Sequence, residues 1–387
     1  MKPLAGLTVV SLEHAIAAPF CTRQLADLGA RVIKVERPGV GDFARGYDTR
    51  ARGMSSHFVW VNRGKESLTL DVKAAPEVLD RLVAHADVVV QNLAPGAAAR
   101  LGLGWEALHA RHPRVILADI SGYGADGPYA TRKAYDLLIE AEAGFLSITG
   151  TPETPAKAGI AIADIAAAMY AYSGVLAALI QRGVTGQGSH IDISMLEALA
   201  EWTGHPLYYA MDGAPPPPRT AASHAYILPY GPFEAADGAV ILLGVQNARE
   251  WDSFARVVLE RPDMADDVVL SSITERSARR AVVLPEIERI LRSLTGAEMM
   301  ERLETAKIGY AALNDMAALW DHPQLAARGK WGQTQTPVGP MPALAPPGQG
   351  AEALGDVPGL GAHTDTILAE LGFSQADIDG LKTKGAV

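Results

Sequence analysis

The sequence is poor in several residues whose abundance marks particular classes of protein. Its 387 residues include one cysteine, Cys21, which excludes an intramolecular disulfide framework and any metal site built from several cysteines. The formal net charge of −10 argues against a nucleic-acid partner. No apolar run is uninterrupted over the length of a membrane span, and the first residues, MKPLAGLTVVSLEH, are typical of a strand rather than a signal peptide. We therefore expect a protein of the reducing cytoplasm with no membrane partner and with Cys21 buried in a helix.

Strand and helix patterns alternate from the amino end. Residues 7–12 (LTVVSL) have the pattern of a buried strand, residues 31–36 (RVIKVE) predict a second strand, and residues 17–28 between them have the pattern of a helix. This βαβ unit predicts parallel strands joined by a right-handed crossover. The connecting loop, residues 13–18, contains no glycine, so its backbone cannot approach a pyrophosphate as the GxGxxG turn does. An α/β sheet that does not bind a nicotinamide or flavin dinucleotide is favoured.

A linker divides the chain. Residues 212–222 begin with Asp-Gly-Ala and four consecutive prolines, a composition typical of a connector. Beyond it, short strand candidates followed by helices predict a smaller α+β domain over residues 223–320. Residues 334–361 are rich in Pro and Gly and are expected to run as an extended return segment.

Asp164 is the only acidic residue between Gly159 and Gly188. Residues 165–182, which follow it, predict a helix that is apolar nearly all round and therefore buried. Asp is a preferred N-cap, because its carboxylate accepts hydrogen bonds from the free N–H groups of the first turn. The same position also favours an ionised carboxylate in an apolar cleft, which is a competent nucleophile. Both interpretations stay open at this point.

The segment from Arg23 to Lys65 departs from the acidic trend, with nine basic residues against four acidic ones. A solvated, loop-rich face would explain the excess. A site for a ligand carrying several phosphates would also explain it, because Lys and Arg form charge-assisted hydrogen bonds with phosphate. The nine residues are Arg23, Arg31, Lys34, Arg37, Arg45, Arg50, Arg52, Arg63 and Lys65.

Several phrases, in order along nearly the whole chain, point to one family. They are LADLGARVIKVERP, NRGKESLTLDVK, ADVVVQNLAPG, TGQGSHIDISMLEA, WDHPQLAARG and LGAHTDTILAELG. Together they resemble the class III coenzyme A transferases, a family that also includes the 2-methylacyl-CoA racemases. The resemblance implies a large Rossmann-like α/β domain built from both chain ends, residues 1–211 and 321–387, beside the smaller α+β domain. It also implies a homodimer of two interlocked rings.

The resemblance assigns chemistry to Asp164. The family's nucleophilic aspartate falls on it, and its carboxylate would attack an acyl-CoA thioester to give an aspartyl anhydride and then an aspartyl-CoA thioester. Coenzyme A is then a substrate, with no tightly bound cofactor and no metal. Lys65 and Lys73 are further candidates as phosphate neighbours. The family's CoA-contacting positions fall on His14, Ile16, Ala17, Arg37, Leu70, Asn92 and Arg100, with Ile16 standing where the formyl-CoA type has Gln.

Two departures from the family pattern separate its branches. The racemase His base falls on Tyr135, which is a poor base at neutral pH, and a further racemase acid, Glu, falls on Asn247. Transferases commonly have Tyr followed by an acidic residue there, as Tyr135-Asp136 does. A CoA transferase is therefore favoured, with a 2-methylacyl-CoA racemase or epimerase, or a non-catalytic subunit of a two-chain transferase, as alternatives.

Residues 223–233 bear on the substrate. The formyl-CoA and oxalate branch has a run of glycines there, whereas this chain has SHAYILPYGPF, which resembles the branch acting on C4 and C5 dicarboxylates. The expected donor is succinyl-CoA or a similar short dicarboxylyl-CoA, and the expected acceptor is itaconate, mesaconate, malate or citramalate. A second carboxylate needs a cationic or hydrogen-bonding partner, for which His205, His224 and Arg52 are candidates.

Overall fold

The computed structural model describes residues 2–352 and 354–387. Within them the strands are β1 Thr8–Leu12, β2 Arg31–Glu36, β3 Lys65–Thr69, β4 Val88–Gln91, β5 Ile116–Ser121, β6 His190–Ser194, β7 Tyr230–Glu234, β8 Val240–Gly244, β9 Gly309–Ala312, β10 Trp331–Thr334 and β11 Met341–Leu344.

The α-helices of the same residues are α1 Ala17–Asp27, α2 Ser56–Asn62, α3 Pro76–Ala84, α4 Ala97–Arg100, α5 Trp105–Arg111, α6 Asp136–Glu142, α7 Phe145–Ile148, α8 Ile162–Thr185, α9 Met195–Trp202, α10 Gly204–Tyr209, α11 Ala248–Ser253, α12 Pro262–Asp266, α13 Ile273–Ala278, α14 Arg280–Leu291, α15 Gly296–Ala306, α16 Met316–Trp320, α17 Pro323–Ala327, α18 Thr364–Glu370 and α19 Gln375–Thr383. Short 3₁₀ turns lie at Phe43–Gly46 and Met211–Gly213.

The chain divides into two compact units. The first consists of the chain up to Gly144, Ala158–Gly204 and Pro323–Val387. It contains a six-stranded sheet in the order β3-β2-β1-β4-β5-β6, in which every neighbouring pair is parallel. β4 is buried along its whole length, as expected for a strand covered on both faces of a parallel sheet. The predicted parallel α/β sheet is confirmed.

The core of this first unit draws on both ends of the chain. Side chains of β1, β2, β4 and α3 pack in one cluster with side chains of α18 and α19. A backbone hydrogen bond from the Asp71 N–H to the Ala386 carbonyl oxygen joins the last residues to the end of β3. The carboxyl-terminal helices are therefore an integral part of the sheet domain. Members of the cluster include Val10, Ile33, Leu68, Leu79, Val89, Ile367, Leu368 and Ile378.

Helix α8 packs on the sheet and on neighbouring helices. It runs for 24 residues, longer than the predicted 165–182, and it contacts α1, α6, α9, β5 and β6. It ends at Thr185, and the capping residue Gly186 adopts the left-handed conformation at φ 74° and donates its N–H to the Arg182 carbonyl oxygen. Cys21 of α1 is fully buried, as expected.

By length and composition alone, α8 could cross a membrane. An 18-residue window of it has a mean hydropathy of 1.6, and it is the one such helix among the described residues, contrary to the expectation that no run qualifies. Only 39% of that window is buried, and Ile180 and Val184 of α8 are exposed, so the expectation of a helix buried all round is wrong.

The second unit consists of Phe145–Lys157 and His205–His322. Its antiparallel sheet has the order β7-β8-β9. Helices cover this sheet through a separate apolar cluster. Its members include Phe233, Ile241, Leu243, Trp251, Phe254, Ile287, Leu291, Met299 and Leu303.

Candidate functional site

The loop after β1 carries His14 and lies at the carboxyl end of the parallel sheet. Asn92, which follows the neighbouring strand β4, holds this loop through two hydrogen bonds. The His14 N–H donates to Asn92 Oδ1 at 2.8 Å, and Asn92 Nδ2 donates to the His14 carbonyl oxygen at 2.9 Å. Both polar atoms of the Asn92 side chain therefore fix the His14 backbone.

Asp42 holds the next residue of the same loop. Ala15 adopts a left-handed conformation, φ 62°, which is unusual for a residue other than glycine, and its N–H donates to Asp42 Oδ1 at 3.2 Å. His14 Nδ1 lies 3.8 Å from the same oxygen, and Lys34 Nζ donates to Asp42 Oδ2 at 2.8 Å. Burial alone would raise the pKa of Asp42, but the Lys34 ammonium and the nearby His14 side chain hold it below its usual range. No pattern in the sequence pointed to Asp42 as a residue of the site.

A buried ion-pair network lies next to Asp42. Glu13 accepts hydrogen bonds from Lys65 Nζ at 2.6 Å, from Lys34 Nζ at 3.3 Å and from Thr22 Oγ1 at 2.6 Å. All three charged side chains are fully buried. Burial, reinforced by the Lys34 ammonium, lowers the pKa of Lys65 to about 8 in spite of Glu13. The proposal of Lys65 as a phosphate neighbour is therefore wrong, because its ammonium group is enclosed by protein.

The basic segment from Arg23 to Lys65 is mostly neutralised within the fold. Six of its nine basic side chains pair with carboxylates. These pairs are Arg23–Asp27, Arg31–Glu66, Lys34–Asp42, Arg45–Glu36, Arg63–Asp27 and Lys65–Glu13. Arg37, Arg50 and Arg52 are exposed and have no carboxylate within 4.0 Å in the described part of the chain. The whole segment therefore does not form a polyanion site. These three arginines are the basic residues of the segment that have no carboxylate partner in the described part of the chain.

Asp164 lies in the first turn of α8. The helix begins at Ile162 and its N-cap position is Ala161, so the interpretation of Asp164 as the N-cap is wrong. Burial raises the pKa of the Asp164 carboxyl to about 7, reinforced by the negative charge of Asp136 and opposed by the backbone N–H of Ala17. The predicted nucleophile is therefore a half-buried carboxyl group that titrates near neutral pH.

Asp136 takes the capping role. Its Oδ1 atom accepts hydrogen bonds from the backbone N–H of Ala163 at 2.8 Å and, more weakly, from that of Asp164 at 3.4 Å. Asp136 itself opens helix α6, with Tyr135 at the N-cap position. The structure thus brings Asp136, Asp164 and Ala17 together, three of the residues expected to form the site.

Aromatic side chains extend from the His14 loop. Phe43 stacks on His14 with ring centroids 5.2 Å apart, and Tyr47 packs against Phe43 at 5.7 Å. Burial, followed by the charges of Asp42, Asp164 and Tyr135, raises the pKa of the Tyr47 hydroxyl to about 12. Sequence reasoning missed Phe43 and Tyr47, although aromatic residues in a Gly-rich loop are a usable signal.

The other positions predicted to contact coenzyme A differ in the solvent exposure of their side chains. Ile16 and Leu70 are buried, and Leu70 belongs to the core cluster, so mainly their backbone atoms are available to coenzyme A. Arg37 follows β2 and Arg100 ends α4, and both side chains are exposed, as a phosphate-binding role requires. Lys73 is exposed as well.

His224 belongs to the second unit. Its Nδ1 atom accepts the backbone N–H of Ile227 at 3.2 Å, and its ring lies between those of Tyr226 and Tyr230, at 4.6 and 5.2 Å. His205 Nε2 lies 2.8 Å from the Tyr226 hydroxyl. Arg52, the third candidate for the second carboxylate, donates from Nη1 to the Pro340 carbonyl oxygen in the first unit.

Among residues 2–352 and 354–387, no cluster of three His, Cys, Asp or Glu side chains is placed to hold a metal ion.

Comparison with known proteins places the chain in one family. The profile described as CoA-transferase family III matches residues 4–364. The chain is 32% identical to the human succinyl-CoA:glutarate CoA-transferase over 399 residues, covering 100% of this chain and 90% of that protein. It is 31% identical over 400 residues to the β subunit of the succinyl-CoA–L-malate CoA-transferase of Chloroflexus aurantiacus, covering 100% of this chain and 98% of that subunit.

A solved structure agrees with this assignment. The crystal structure of a CAIB/BAIF family protein from Brucella suis superposes with a TM-score of 0.82 at 31% identity, covering 96% of this chain and 99% of that chain.

Proposed function

Because this chain belongs to CoA-transferase family III, we propose that it transfers coenzyme A from succinyl-CoA or a similar short dicarboxylyl-CoA to a second dicarboxylate. The similar human and Chloroflexus proteins are named for glutarate and for L-malate as acceptors. Glutarate is therefore added to the acceptors that the sequence suggested, which were itaconate, mesaconate, malate and citramalate. The observation that carries the proposal is the Asp164 carboxyl group, half-buried at the start of an apolar helix with a pKa of about 7.

In the proposed mechanism, an oxygen of ionised Asp164 attacks the thioester carbonyl carbon. The C–S bond breaks, and the products are a mixed aspartyl anhydride and the thiolate of coenzyme A. The thiolate then attacks the aspartyl carbonyl carbon, releasing the first carboxylate and leaving an aspartyl-CoA thioester. The acceptor carboxylate attacks this thioester, forming a new anhydride and expelling the thiolate again. Attack of the thiolate on the acceptor's acyl carbon gives the new acyl-CoA and restores the Asp164 carboxylate.

The loop that follows β1 supports these steps. The N–H of Ala17 faces the Asp164 carboxyl and opposes the rise in its pKa. Asn92 and Asp42 fix the backbone of His14 and Ala15, the two residues before Ile16 and the start of α1. A donor held this firmly can stabilise negative charge on the reacting oxygen without reorganising. His14 would then face the thioester, with Arg37 and Arg100 at the phosphates of coenzyme A.

We also propose that two copies of the chain assemble as interlocked rings. Apolar side chains on and just after α10 support an interface, since Leu207, Tyr208 and Met211 are 64%, 79% and 58% exposed in the single chain. The name of the Chloroflexus relative, a β subunit, keeps a two-chain enzyme as the alternative. Light scattering and an activity assay on the purified chain together distinguish the two cases. A self-sufficient enzyme has the mass of a homodimer and is active, whereas a subunit needs a second chain for activity.

Mass spectrometry of the exchange reaction tests the proposed function. The protein is incubated with succinyl-CoA and isotopically labelled glutarate, malate, mesaconate, itaconate and citramalate, and new acyl-CoA masses are measured. We expect labelled acyl-CoA from the wild type and at least about a thousandfold less from Asp164→Asn, which has the same shape but no nucleophilic carboxylate. Exchange that survives this substitution would refute the mechanism. Solvent deuterium at the α-carbon without CoA exchange would instead indicate a racemase.

A further inference from the structure

The ammonium group of Lys65 joins three separate parts of the first unit. Lys65 is the first residue of β3, and its side chain is fully buried. Its Nζ atom donates hydrogen bonds to Glu13 Oε1 at 2.6 Å, to the Pro19 carbonyl oxygen at 2.9 Å and to Asn62 Oδ1 at 3.0 Å. An ammonium group has three N–H donors, so each of them has an acceptor here.

Two of these acceptors belong to the segment that leads to Asp164. Glu13 directly follows β1, and Pro19 lies in the first turn of α1, two residues after Ala17. Because Ala17 is the first residue of α1, its N–H has no acceptor within the helix, and it faces the Asp164 carboxyl. Helix α1 also packs on α8, which carries Asp164. A displaced first turn of α1 would therefore weaken the contact between Ala17 and Asp164.

A second buried cation holds the other end of the same helix. Arg63 Nη2 pairs with Asp27 Oδ2 at 2.8 Å, and both side chains are buried. Asp27 is the last residue of α1, whereas the bond from Lys65 to Pro19 is at the first turn. The two cations are alike in burial and in having a carboxylate partner, but they differ in their distance along the helix from the end that faces Asp164.

We propose that Lys65 is a positioning residue for the transfer reaction: its ammonium group fixes the first turn of α1 and so holds the Ala17 N–H at the Asp164 carboxyl. This inference rests on the transferase function proposed above and assigns a further residue to the same site. Lys65 is enclosed by protein and acts through Ala17. A donor that is fixed before the reaction stabilises negative charge on the reacting oxygen without reorganising.

The double variant Lys65→Met with Glu13→Gln tests this role. It removes one positive and one negative charge, while Lys34 keeps Asp42 as a partner and the Pro19 carbonyl oxygen loses its bond from Lys65. We expect kcat/KM for succinyl-CoA to fall about 10- to 100-fold, because a misplaced group is costly even when the residues that react are intact. The rise of kcat/KM with pH should also move to higher pH, since the Ala17 N–H no longer favours the ionised form of Asp164.

Arg63→Met is the matched control, because it removes a buried cation from the other end of α1. It should lower the free energy of unfolding and leave kcat/KM and its pH dependence as in the wild type. A double variant with the kcat/KM and pH profile of the wild type would overturn the proposal, since Lys65 would then serve stability alone. An equal fall of kcat/KM in Arg63→Met would overturn it as well, because the effect would not be specific to the first turn of α1.

If the double variant does not fold, the pH dependence of the wild type decides. The charged groups that face Lys65 are Glu13 after β1, Lys34 of β2 and Asp42 in the loop after β2, and the buried thiol of Cys21 in α1 interacts with it as well. Burial lowers the pKa of Lys65 to about 8, and a neutral amine has two N–H groups for the three acceptors.

The wild-type kcat/KM should therefore fall as pH rises through about 8. A kcat/KM that stays level from about pH 7.5 to about pH 9.5 would overturn the proposal, because loss of a bond from Lys65 would then have no effect on the reaction. Each of these outcomes leaves the transferase function standing. Absence of exchange by the wild type at every pH would instead refute the proposed function, and this inference with it.

Discussion

The carboxylate of Asp136 caps the helix that carries Asp164. It accepts the backbone N–H of Ala163 at 2.8 Å and that of Asp164 at 3.4 Å, so it takes the capping role that the sequence suggested for Asp164. The free N–H groups at a helix N-terminus favour negative charge, but here a second carboxylate uses them. Burial raises the pKa of Asp164, and the neighbouring Asp136 carboxylate, which carries the same sign of charge, raises it further.

The substitution Asp136→Asn should shift the pH dependence of exchange to lower pH. Asn keeps a carbonyl oxygen that can accept the Ala163 N–H, but it removes the negative charge that helps to raise the pKa of Asp164. Because Asp164 must be ionised to attack, the wild-type rate should rise with pH through about 7, and this rise should begin earlier in the variant. The pH profile of kcat/KM for succinyl-CoA measures the shift.

Asp136→Ala is the matched comparison, since it removes both the charge and the cap. It should show the same shift in pH dependence together with a loss of about 1 kcal/mol in the free energy of unfolding. An unchanged acid limb in both variants would mean that Asp136 does not influence the ionisation of Asp164.

The effect of Asp164→Asn on stability should depend on pH. The native carboxyl titrates near 7 and an unfolded one near 3.9, so the native state binds the proton more tightly. Titration of this group should therefore lower the free energy of unfolding of the wild type as pH rises from about 4 to about 7. Above about pH 7 it should cause no further decrease. The variant lacks the titrating group. The free energy of unfolding of the variant minus that of the wild type should therefore increase across the same pH range, by at most about 1.4 kcal/mol per pH unit.

Urea denaturation of the wild type and of Asp164→Asn between pH 4.5 and 8 measures this difference. The other titrating groups are common to both proteins and largely cancel in it. A difference that is constant over this range would show that the native pKa of Asp164 is not raised.

Loss of Lys34 should be far more harmful than loss of Arg31, three residues earlier on the same strand. Lys34 is fully buried between Glu13 and Asp42, and Lys34→Met leaves the Asp42 carboxylate without its ammonium partner. Breaking a buried pair in this way costs about 3–5 kcal/mol. Arg31 pairs with Glu66 and Glu370 at the surface, so Arg31→Met should cost about 0–1 kcal/mol.

The double variant Lys34→Met with Asp42→Asn removes both charges and should regain part of this loss, as measured by urea denaturation at pH 7. If Lys34→Met costs no more than Arg31→Met, the buried network does not stabilise the fold.

The parallel sheet could be predicted because its strands are short apolar runs between turn residues, with a helical pattern in between. Residues 7–12 and 31–36 are rich in β-branched apolar residues, which is typical of strands in a parallel sheet. The family could be predicted as well, since its phrases recur in order along the chain.

The site could be predicted only in part, because its electrostatics depend on contacts between distant residues. Asp136 and Ala163 are 27 positions apart, and no local pattern indicates that one caps the helix of the other. Lys65 has the composition of a surface lysine, but its burial depends on Glu13, 52 residues earlier. The assignment of Phe145–Lys157 to the second unit likewise comes from tertiary contacts alone.

Gly188 should tolerate no side chain, although it lies near the surface end of α8. It follows the left-handed Gly186 and donates its N–H to the Pro113 carbonyl oxygen at 2.8 Å. A Cβ atom there would lie 1.8 Å from the carbonyl oxygen of Val115, a backbone atom that cannot move without disturbing β5. We expect Gly188→Ala to lower the free energy of unfolding by at least about 2 kcal/mol.

Gly183→Ala is the control for this substitution, because Gly183 lies within α8 and a Cβ there meets nothing within 4 Å. It should stabilise the protein by about 0.5–1 kcal/mol, the usual gain on replacing a helical glycine by alanine. Each substitution adds the same single methyl group. Changes of opposite sign in the free energy of unfolding, measured by urea denaturation, would therefore attribute the loss at position 188 to the close approach of the Val115 backbone. Equal effects at both positions would show that this approach is not as tight as the 1.8 Å distance requires.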